Sequence, residues 1–236
     1  MHRRFVVFSL IVAMVGITEI GPARLEAAAQ EATPAAGTEM LTDEEMQGII
    51  EAAVAAAEQT PSALRVDAQG TPVTTRMHIA IVDRNGHLLA LHSMEDAWPV
   101  SIDIALAKAY TAAAVSSNQN AISSRSIGLL TQPGGPLWNV GNSNDPGTGD
   151  DSVEERGLIE FPGGLPLYKN GSLVGGIGVS GDGVDQDEVV AEAGAVGYEP
   201  PAVIRVDCVL GLADAYTNSA APCPGAPGAP VATPAA

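Results

Sequence analysis

Residues 174–190 read VGGIGVSGDGVDQDEVV, a glycine-rich apolar run that passes through an acidic turn into a short helical pattern. Gly176, Gly178 and Gly181 fit the spacing G-x-G-x-x-G that dinucleotide-binding loops use. That fingerprint requires a strand before it and a long helix after it, within a parallel unit. Whether the flanking sequence forms such a unit therefore decides the fold.

The sequence on both sides of this run argues against nucleotide binding. The strand before it belongs to a predicted hairpin, Pro166–Lys169 and Leu173–Val179, which is turned by the strong two-residue signal Asn170-Gly171. No lysine or arginine lies nearby, and the carboxylates that follow would repel a pyrophosphate: Asp182, Asp185, Asp187 and Glu188. We interpret the glycines as a strand that another backbone or a flat ligand approaches closely, because no side chain intervenes.

Helical and strand patterns continue outward from this hairpin. Thr42 and Glu45 form a capping box that opens a helix, and Pro61 ends it. Further elements are predicted as a hairpin of Met77–Val82 and His87–His92, helices over Trp98–Ala114 and about 119–130, and a last helix, Asp185–Val196, capped by Asp185. Because the strands come as hairpins, the order predicts an α/β (α+β) fold with a largely antiparallel sheet flanked by helices.

The first 29 residues are typical of a secretory signal peptide. A basic start, Arg3-Arg4, precedes the apolar run Phe5–Ile17, which is too short to span a bilayer, and Ala27–Ala29 offers a cleavage site. A retained anchor is the alternative. No other segment is long and apolar enough to cross a membrane, so we expect a secreted or extracytoplasmic protein without stable membrane insertion.

Composition separates one domain from its flanks. Residues 30–40 are a linker, 41–217 form a single domain, and the Ala-, Pro- and Gly-rich residues 218–236 are expected to be a disordered tail. Without the signal peptide the formal net charge changes from −17 to −18, because three arginines and two glutamates are removed. Such an acidic surface excludes nucleic acid as a partner, since phosphate binding needs clustered lysine and arginine.

Cys208 and Cys223 are the two cysteines of the chain. In an exported protein they favour one disulfide, which would tie the tail to the domain. Two independent thiols remain the alternative. Neither cysteine lies in a C-x-x-C pair, so the sequence does not indicate a zinc site or redox chemistry.

Several motifs together resemble the GlcG/HbpS-type haem-binding proteins, a group that includes the C-terminal domain of PduO-type cobalamin adenosyltransferases. They are Ile79–Asp83, Gly86, Lys108–Ala112, Phe161–Gly164 and Val174–Asp187, and the resemblance covers roughly 41–200. It implies an α-β-α sandwich, assembly into homo-oligomers (possibly octamers), and haem as the cofactor. Other members of the group serve corrinoid or glycolate metabolism.

The chain departs from the family pattern in two places. Where relatives commonly have R-M-D-G-A, it has Ser93–Ala97, which removes an arginine that could pair with a haem propionate. It also carries a long insert rich in Asn, Asp and Gly, about 138–160. Both changes would reshape the rim of a ligand pocket.

The three histidines outside the signal peptide, His78, His87 and His92, lie in the first hairpin. With a two-residue turn at Asn85-Gly86, His78 would oppose Ser93 and His92 would lie on the other face. A type I turn over residues 83–86 with left-handed Gly86 would bulge the hairpin and place His78 opposite His92, and the residue types favour this form. His78 or His92 is then a candidate axial ligand of haem iron; the alternative is two polar histidines at a half-exposed sheet end.

Other candidate contacts to the cofactor come from the helix and the glycines. Lys108 and Thr111 lie three apart on one helix face, and Tyr110 is a residue type that ligates haem iron. Ordinary packing with satisfied polar groups is the alternative for all three. Met94 is a further candidate ligand, and the candidate glycines are Gly164, Gly175 and Gly176.

No nucleophile with a base, H-E-x-x-H, G-x-S-x-G or P-loop pattern occurs in the sequence. Together with the signal peptide, the resemblance implies an exported haem-binding protein with a role in haem sensing, sequestration or redox-stress response. One alternative is an enzyme accessory that binds a corrinoid or a small metabolite. Another is a structural oligomer without a ligand, whose glycines serve subunit packing.

Overall fold

The computed structural model describes residues 39–138 and 158–224, which belong to one compact unit. Its helices are α1 Asp43–Ala57, α2 Ser101–Ala114, α3 Ser124–Leu130, α4 Val184–Gly194 and α5 Val206–Leu210. Its strands are β1 Pro61–Val66, β2 Pro72–Thr74, β3 His78–Asp83, β4 Leu88–Ser93, β5 Gly164–Lys169 and β6 Ser172–Ser180. The expected signal peptide, most of the linker, the central part of the insert and the last residues of the tail lie outside the described residues.

The main sheet has four strands in the order β4-β3-β6-β5, and every neighbouring pair is antiparallel. This confirms the antiparallel sheet that the two hairpin patterns predict, and it excludes the parallel unit of a dinucleotide fold. A second, two-stranded sheet of β1 and β2 was not predicted; it lies in the stretch where the sequence indicated only the end of α1. Within the described residues, no helix combines the length and the apolar character needed to span a bilayer.

Helices cover both faces of the main sheet. On one face, Ala80 and Val82 of β3 form a cluster with alanines of α2. On the other face, Ile79, Ile81 and Ile177 join a larger core with residues of α1 and α4. The predicted α-β-α sandwich is therefore confirmed, with a thin layer of small residues under α2 and a thicker aliphatic layer under α1 and α4.

The glycines of β6 let α2 lie almost directly on the strand. A Cβ atom at Gly178 would lie 2.1 Å from the carbonyl oxygen of Ala105, and one at Gly176 would lie 2.5 Å from that of Ala109. Real Cβ atoms do not approach backbone oxygens that closely, so any side chain here would push the helix off the sheet. The other backbone that the glycine run was expected to admit is thus helix α2.

Local signals set the helix ends. In α1, the Glu45 amide donates to Thr42 Oγ1 at 3.2 Å and the Thr42 amide donates to Glu45 Oε2 at 2.8 Å, which is the predicted capping box. The expectation that Asp185 caps α4 is wrong: the N-cap is Gly183, without a side-chain cap. Asp187 binds the loop amides instead, because its position one turn into the helix lets Oδ1 reach back to them.

The C-terminal segment is held to the domain. Cys208 and Cys223 form a disulfide with their Cα atoms 5.2 Å apart, as the sequence favoured. The Asn218 amide donates to Glu188 Oε2 at 3.1 Å, and Ser219 Oγ donates to Glu192 at 2.6 Å. The first residues of the segment expected to be a disordered tail, up to residue 224, are therefore fixed against α4 and α5.

Candidate functional site

The turn of the first hairpin forms as predicted, but the register of its strands does not. The Asp83 amide donates to the carbonyl of His87 at 2.8 Å, and Gly86 has a left-handed φ of 85°. Leu89 is then an extra residue, because Val82 pairs with Leu88 while Ile81 pairs with Ala90. This bulge, a two-against-one mismatch in the ladder, shifts every pair beyond it by one residue.

The bulge separates the two candidate histidines. His78 lies opposite Ser93, and His92 lies opposite Ile79. Since neighbouring residues of a strand point to opposite faces, His78 lies on the α2 face and His92 on the α1 face. The prediction that His78 and His92 oppose each other is therefore wrong, and they cannot form a facing pair of ligands.

His78 is an interior residue with both ring nitrogens occupied. Its side chain is buried, Nε2 lies 2.9 Å from the carbonyl oxygen of Trp98, and Nδ1 lies 2.8 Å from Ser93 Oγ. A carbonyl oxygen only accepts, so Nε2 carries the proton and Nδ1 accepts from the serine hydroxyl. In this arrangement the imidazole has no free lone pair for a metal.

His92 is the described histidine whose imidazole is both partly exposed and free. It lines a cleft of about 340 Å³ beside Arg76, Met94 and the C-terminal part of α1. Its ring nitrogens have no hydrogen-bond partner within residues 39–138 and 158–224. His87, by contrast, is exposed on the turn and lies 3.1 Å from the carboxylate of Asp83.

Met94 lies two residues beyond His92 and lines the same cleft. Its Sδ accepts from the Met77 amide at 3.4 Å, and its side chain packs against the main core. The thioether therefore forms part of the apolar floor of the cleft. Met94 as an iron ligand stays a prediction.

Two arginines lie near the segment that lost the family arginine. Arg76 lines the His92 cleft, and its Nη1 donates to Thr74 Oγ1 at 3.2 Å. Arg65, on the unpredicted strand β1, stacks 4.5 Å over the Trp98 ring and donates through Nη1 to the carbonyl of Asp96. Its Nε and Nη2 atoms are buried without a partner. Two arginines that are distant in sequence therefore place positive charge near Ser93–Ala97, the segment that lacks the family arginine.

The buried polar centre of the sandwich is an ion pair between α2 and α4. Lys108 is 1% exposed, and its Nζ donates to Asp187 Oδ2 at 2.6 Å and to the carbonyl of Val179 at 2.9 Å. Burial lowers the pKa of Lys108 and raises the pKa of Asp187, and in each case the charge of the partner opposes the shift. Lys108 therefore does not reach the surface as a snorkelling lysine would.

A second ion pair neutralises the neighbouring carboxylate. Arg125 contacts Glu188 in a bidentate arrangement, with N–O distances of 2.8 and 2.9 Å, and also lies 3.4 Å from Asp185. The prediction that no basic residue lies near the acidic turn is wrong. Lys108 and Arg125, on helices distant in the sequence, both contact its carboxylates. The carboxylates of Asp185, Asp187 and Glu188 are therefore paired with cations of the protein itself.

The remaining candidates lie mostly inside the fold. Thr111 is fully buried, and its Oγ1 accepts from the Ile159 amide at 2.9 Å. Tyr110 is half-buried with its ring against Gly86, where a Cβ atom would lie 2.5 Å from the ring. The role of Tyr110 as an iron ligand stays a prediction.

The candidate glycines contact the backbone of this chain. A Cβ atom at Gly164 would lie 2.5 Å from the carbonyl oxygen of Lys108, and one at Gly175 would lie 2.1 Å from that of Val82. Gly176 faces α2 in the same way. The structure therefore does not bring these glycines together with the histidines around one opening.

Sequence reasoning missed Arg76 and Arg65, which no motif marks. Arg76 lies two residues before His78, the first residue of β3, and this position beside the histidine strand was the only signal in the sequence. Arg65 could not be connected to this end of the sheet, because the β1–β2 hairpin that carries it was not predicted. The cleft itself forms between β4 and α1, two elements far apart in the sequence.

An antiparallel sheet between two helical layers, with an open imidazole on its edge strand, places the chain in the class of α-β-α sandwich proteins that the motifs indicated. A family model described as "Haem degrading protein HbpS-like" matches residues 41–196, and the chain belongs to this HbpS-like family. The predicted family is thereby confirmed.

Two curated relatives extend this comparison. An uncharacterised 15.0 kDa protein of Citrobacter freundii is 32% identical over 127 residues, 54% of this chain and 79% of that protein. The corrinoid adenosyltransferase PduO of the same organism is 34% identical over 114 residues, 48% of this chain but 30% of PduO. The chain thus corresponds to a minor part of PduO.

Two solved structures share the fold. One is a complex of PduOC with haem, with a TM-score of 0.50 and 26% identity, covering 67% of this chain and 94% of that one. The other is the protein ORFY of Klebsiella pneumoniae, with a TM-score of 0.51 and 26% identity, covering 67% and 90% of the two chains.

Proposed function

We propose that this protein binds haem in the cleft between β4 and α1, with His92 as an axial ligand of the iron. The observation that carries the proposal is the free, partly exposed imidazole of His92 in a cleft of about 340 Å³. Membership of the HbpS-like family and the likeness to the PduOC–haem complex support the choice of haem.

The chemistry of the cleft suits one edge of a porphyrin. A neutral imidazole donates its free nitrogen lone pair to iron, and His92 offers one without breaking an internal hydrogen bond. Val54 and Met94 supply apolar surface for the macrocycle. A cleft of this size encloses only part of a haem, so the rest of the ring would lie against solvent or a second subunit.

Charges around the cleft orient the two haem propionates. Arg76 is the cation of the lining, whereas Glu58, Glu95 and Asp96 are acidic. Propionates are therefore expected to point towards Arg76 or outward. Since like charges of an exposed site repel less in salt, affinity should rise when ionic strength increases from about 0.01 to 0.15 M.

Haemin titration of the purified protein, followed by the Soret band, tests the site. We expect a shifted band for the wild-type protein and for His87→Ala, which removes the exposed histidine of the same hairpin. His92→Ala should lose the histidine-ligated spectrum and weaken binding by about tenfold or more. An unchanged spectrum and affinity in His92→Ala would refute this ligand, and no spectral change in the wild-type protein would refute haem binding.

A corrinoid is the second candidate ligand, favoured by the 34% identity to the corrinoid adenosyltransferase PduO. The imidazole nitrogen of His92 could coordinate cobalt as it could coordinate iron. Titration with hydroxocobalamin distinguishes the two, because the corrinoid absorbs at different wavelengths. Tighter binding of cobalamin than of haemin would favour a corrinoid as the ligand of the cleft.

We further propose that the protein works outside the cytoplasm as a homo-oligomer. The disulfide between Cys208 and Cys223 supports an oxidising compartment. Leu88, Leu89 and Leu91 are exposed on the edge strand β4, which supports association through that edge. Fractionation of expressing cells and light scattering of the purified protein test both statements; a cytoplasmic, monomeric product would contradict them.

A further inference from the structure

A larger cavity, of about 470 Å³, lies at the opposite edge of the sheet from His92. The start of β5 and the end of α4 form one side, and the segment around Pro200, Ala202 and residues 216–221 forms the other. More than half of its lining comes from residues after 196, beyond the part of the chain that matches the family. The cavity is therefore a feature of this chain's own C-terminal segment.

Arg205 provides the polar anchor of this cavity. Its side chain is 7% exposed, and its Nε and Nη2 atoms donate to the Asp207 carboxylate at 3.1 and 2.8 Å. Nη2 also donates to the carbonyl of Ala221 at 2.6 Å, and the guanidinium lies 5.5 Å from the centre of the Tyr216 ring. The arginine is thus fixed in one orientation.

One nitrogen of that guanidinium is left over. Nη1 of Arg205 has no hydrogen-bond partner within the described residues, although its two neighbours are fully used. It is not among the buried unpaired side-chain atoms of the described residues, and Arg205 is one of the residues that line the cavity. A rigidly held donor without a protein partner is a ready anchor for a ligand, because a ligand acceptor can take the hydrogen bond that the protein leaves to water.

The charges nearby select the kind of acceptor. Asp207 already neutralises the guanidinium, and Glu192 and Glu199 also line the cavity. A carboxylate would meet two like charges with no net positive charge to offset them. An uncharged carbonyl oxygen would pair with Nη1 without that repulsion.

The rest of the lining is mainly apolar. Leu165, Pro166 and Val196 form part of it, with Pro200 and Ala202 on the other side. Ligand sites commonly combine such a lining with a few fixed polar groups, within cavities of about 300–1,000 Å³. The disulfide between Cys208 and Cys223 closes the segment that forms the outer wall, so the cavity is formed before a ligand arrives.

We propose that this cavity is a second binding site, for a small, uncharged and mainly apolar molecule that places a carbonyl-type acceptor on Arg205 Nη1. The site is independent of haem binding, since it shares no residue with the His92 cleft. Its occupant is small enough to lie between α4 and the C-terminal segment. Its recognition rests on shape and one hydrogen bond.

Three probes of similar size test the proposal on the full mature protein by ligand-observed NMR. Acetophenone carries a neutral acceptor, ethylbenzene lacks it, and benzoate carries a charge. We expect acetophenone to bind about tenfold more tightly than ethylbenzene, the equivalent of one hydrogen bond, and benzoate to bind more weakly than acetophenone. Equal affinity of the three probes, or no binding of acetophenone, would overturn the proposal.

Variants locate the site. Ala202→Phe fills the cavity without touching the ion pair and should abolish acetophenone binding, whereas Ala55→Phe on the exposed face of α1 should leave it unchanged. Arg205→Lys keeps a cation beside Asp207 but removes Nη1, so it should reduce the preference for acetophenone over ethylbenzene to about twofold or less. Unaltered binding in Ala202→Phe would overturn the proposal even if Arg205→Lys failed to fold.

Discussion

Lys108 Nζ lies 2.6 Å from Asp187 Oδ2, although the two residues are 79 positions apart and both side chains are almost fully buried. The pair joins α2 to the start of α4 at the end of β6. Gly163, with a left-handed φ of 107°, packs against the same pair: a Cβ atom there would lie 2.8 Å from the carbonyl oxygen of Val179, 3.0 Å from Asp187 Cβ and 3.1 Å from Lys108 Nζ. The motif segments Lys108–Ala112, Phe161–Gly164 and Val174–Asp187 therefore meet at one structural centre.

Removing one partner of this pair should be strongly destabilising. Asp187→Asn leaves the Lys108 charge buried without a counter-ion, and we expect a loss of about 3–5 kcal/mol in the free energy of unfolding. The double variant Lys108→Met/Asp187→Asn removes both charges and should be more stable than Asp187→Asn alone. Urea denaturation of the wild-type protein, the single variants Lys108→Met and Asp187→Asn, and the double variant measures the coupling. Strictly additive losses would show that the two side chains do not act as a pair.

The close contact of β6 with α2 gives a sharp steric prediction. Gly178→Ala places a Cβ atom 2.1 Å from the carbonyl oxygen of Ala105, so it should destabilise the fold by about 1–3 kcal/mol or more. Gly48→Ala is the matched control, because a Cβ atom there meets nothing within 4 Å in the middle of α1. It should stabilise the protein by about 0.5–1 kcal/mol. Thermal unfolding of both variants checks the opposite signs, and a neutral Gly178→Ala would contradict the contact.

The capping box of α1 gives a pH-dependent contribution. The hydrogen bond from Lys169 lowers the pKa of Glu45 below its ordinary value of 4.5. A carboxyl group whose pKa is lowered in the folded state stabilises the protein at pH values above its ordinary pKa. This stabilisation is lost as the pH falls through the pKa of the folded state. Lys169 Nζ lies 2.8 Å from Glu45 Oε1 on a partly exposed surface, so the effect is modest.

Glu45→Gln keeps the capping hydrogen bond but removes the charge. We expect it to lower the free energy of unfolding by about 0.3–1 kcal/mol at pH 7 and by much less near pH 3. Glu44→Gln, in the same first turn, controls for the helix dipole. Urea denaturation at both pH values measures the difference between the two variants, and a difference that persists undiminished at pH 3 would exclude the ion pair as its source.

The disulfide should act mainly on the C-terminal segment. Cys208 and Cys223 are 15 positions apart, and closing a loop of that length contributes about 3 kcal/mol in the chain-entropy model. In Cys208→Ser/Cys223→Ser, the amides of Asn218 and its neighbours should lose protection in hydrogen exchange. The amides of β3 and β6 should keep theirs, because the pairing of these strands does not involve this segment. Equal loss of protection in both regions would show that the bridge stabilises the whole domain.

Most of the local structure could be predicted from the sequence because its causes are local. The Thr42–Glu45 box begins α1, the Asn170-Gly171 pair turns the second hairpin, and alternating or helical spacing of apolar residues marks the other elements. The missed hairpin of β1 and β2 lacks such a pattern, since Pro61–Val66 is mostly exposed and buries little apolar surface. The motifs also identified the family, because their combination is specific even where each alone is not.

The site depended on contacts that local rules do not determine. The turn at Gly86 was predicted correctly, yet one extra residue in β4 moved His92 to the other face from His78. Register is a property of a strand pair packed between two layers, and single residues in one strand cannot specify it. The same holds for Arg76, which lines the cleft, and for Arg65, which reaches Asp96 and Trp98 from β1.

By itself, then, the sequence determined the order of α1 to α4 and of the four strands of the main sheet, the antiparallel pairing, the family and the cysteine pair, all of which follow from short-range spacing or from residue type. Tertiary structure alone decided which histidine is free, which cations neutralise the acidic turn, and where cavities remain. Lys108 meets Asp187 because two helices distant in sequence pack onto the same sheet, and Arg205 is fixed by Asp207 and by the carbonyl of Ala221 in the C-terminal segment. The partner of Lys108 is set by packing between segments that are far apart in the sequence, and a local sequence pattern does not specify such packing.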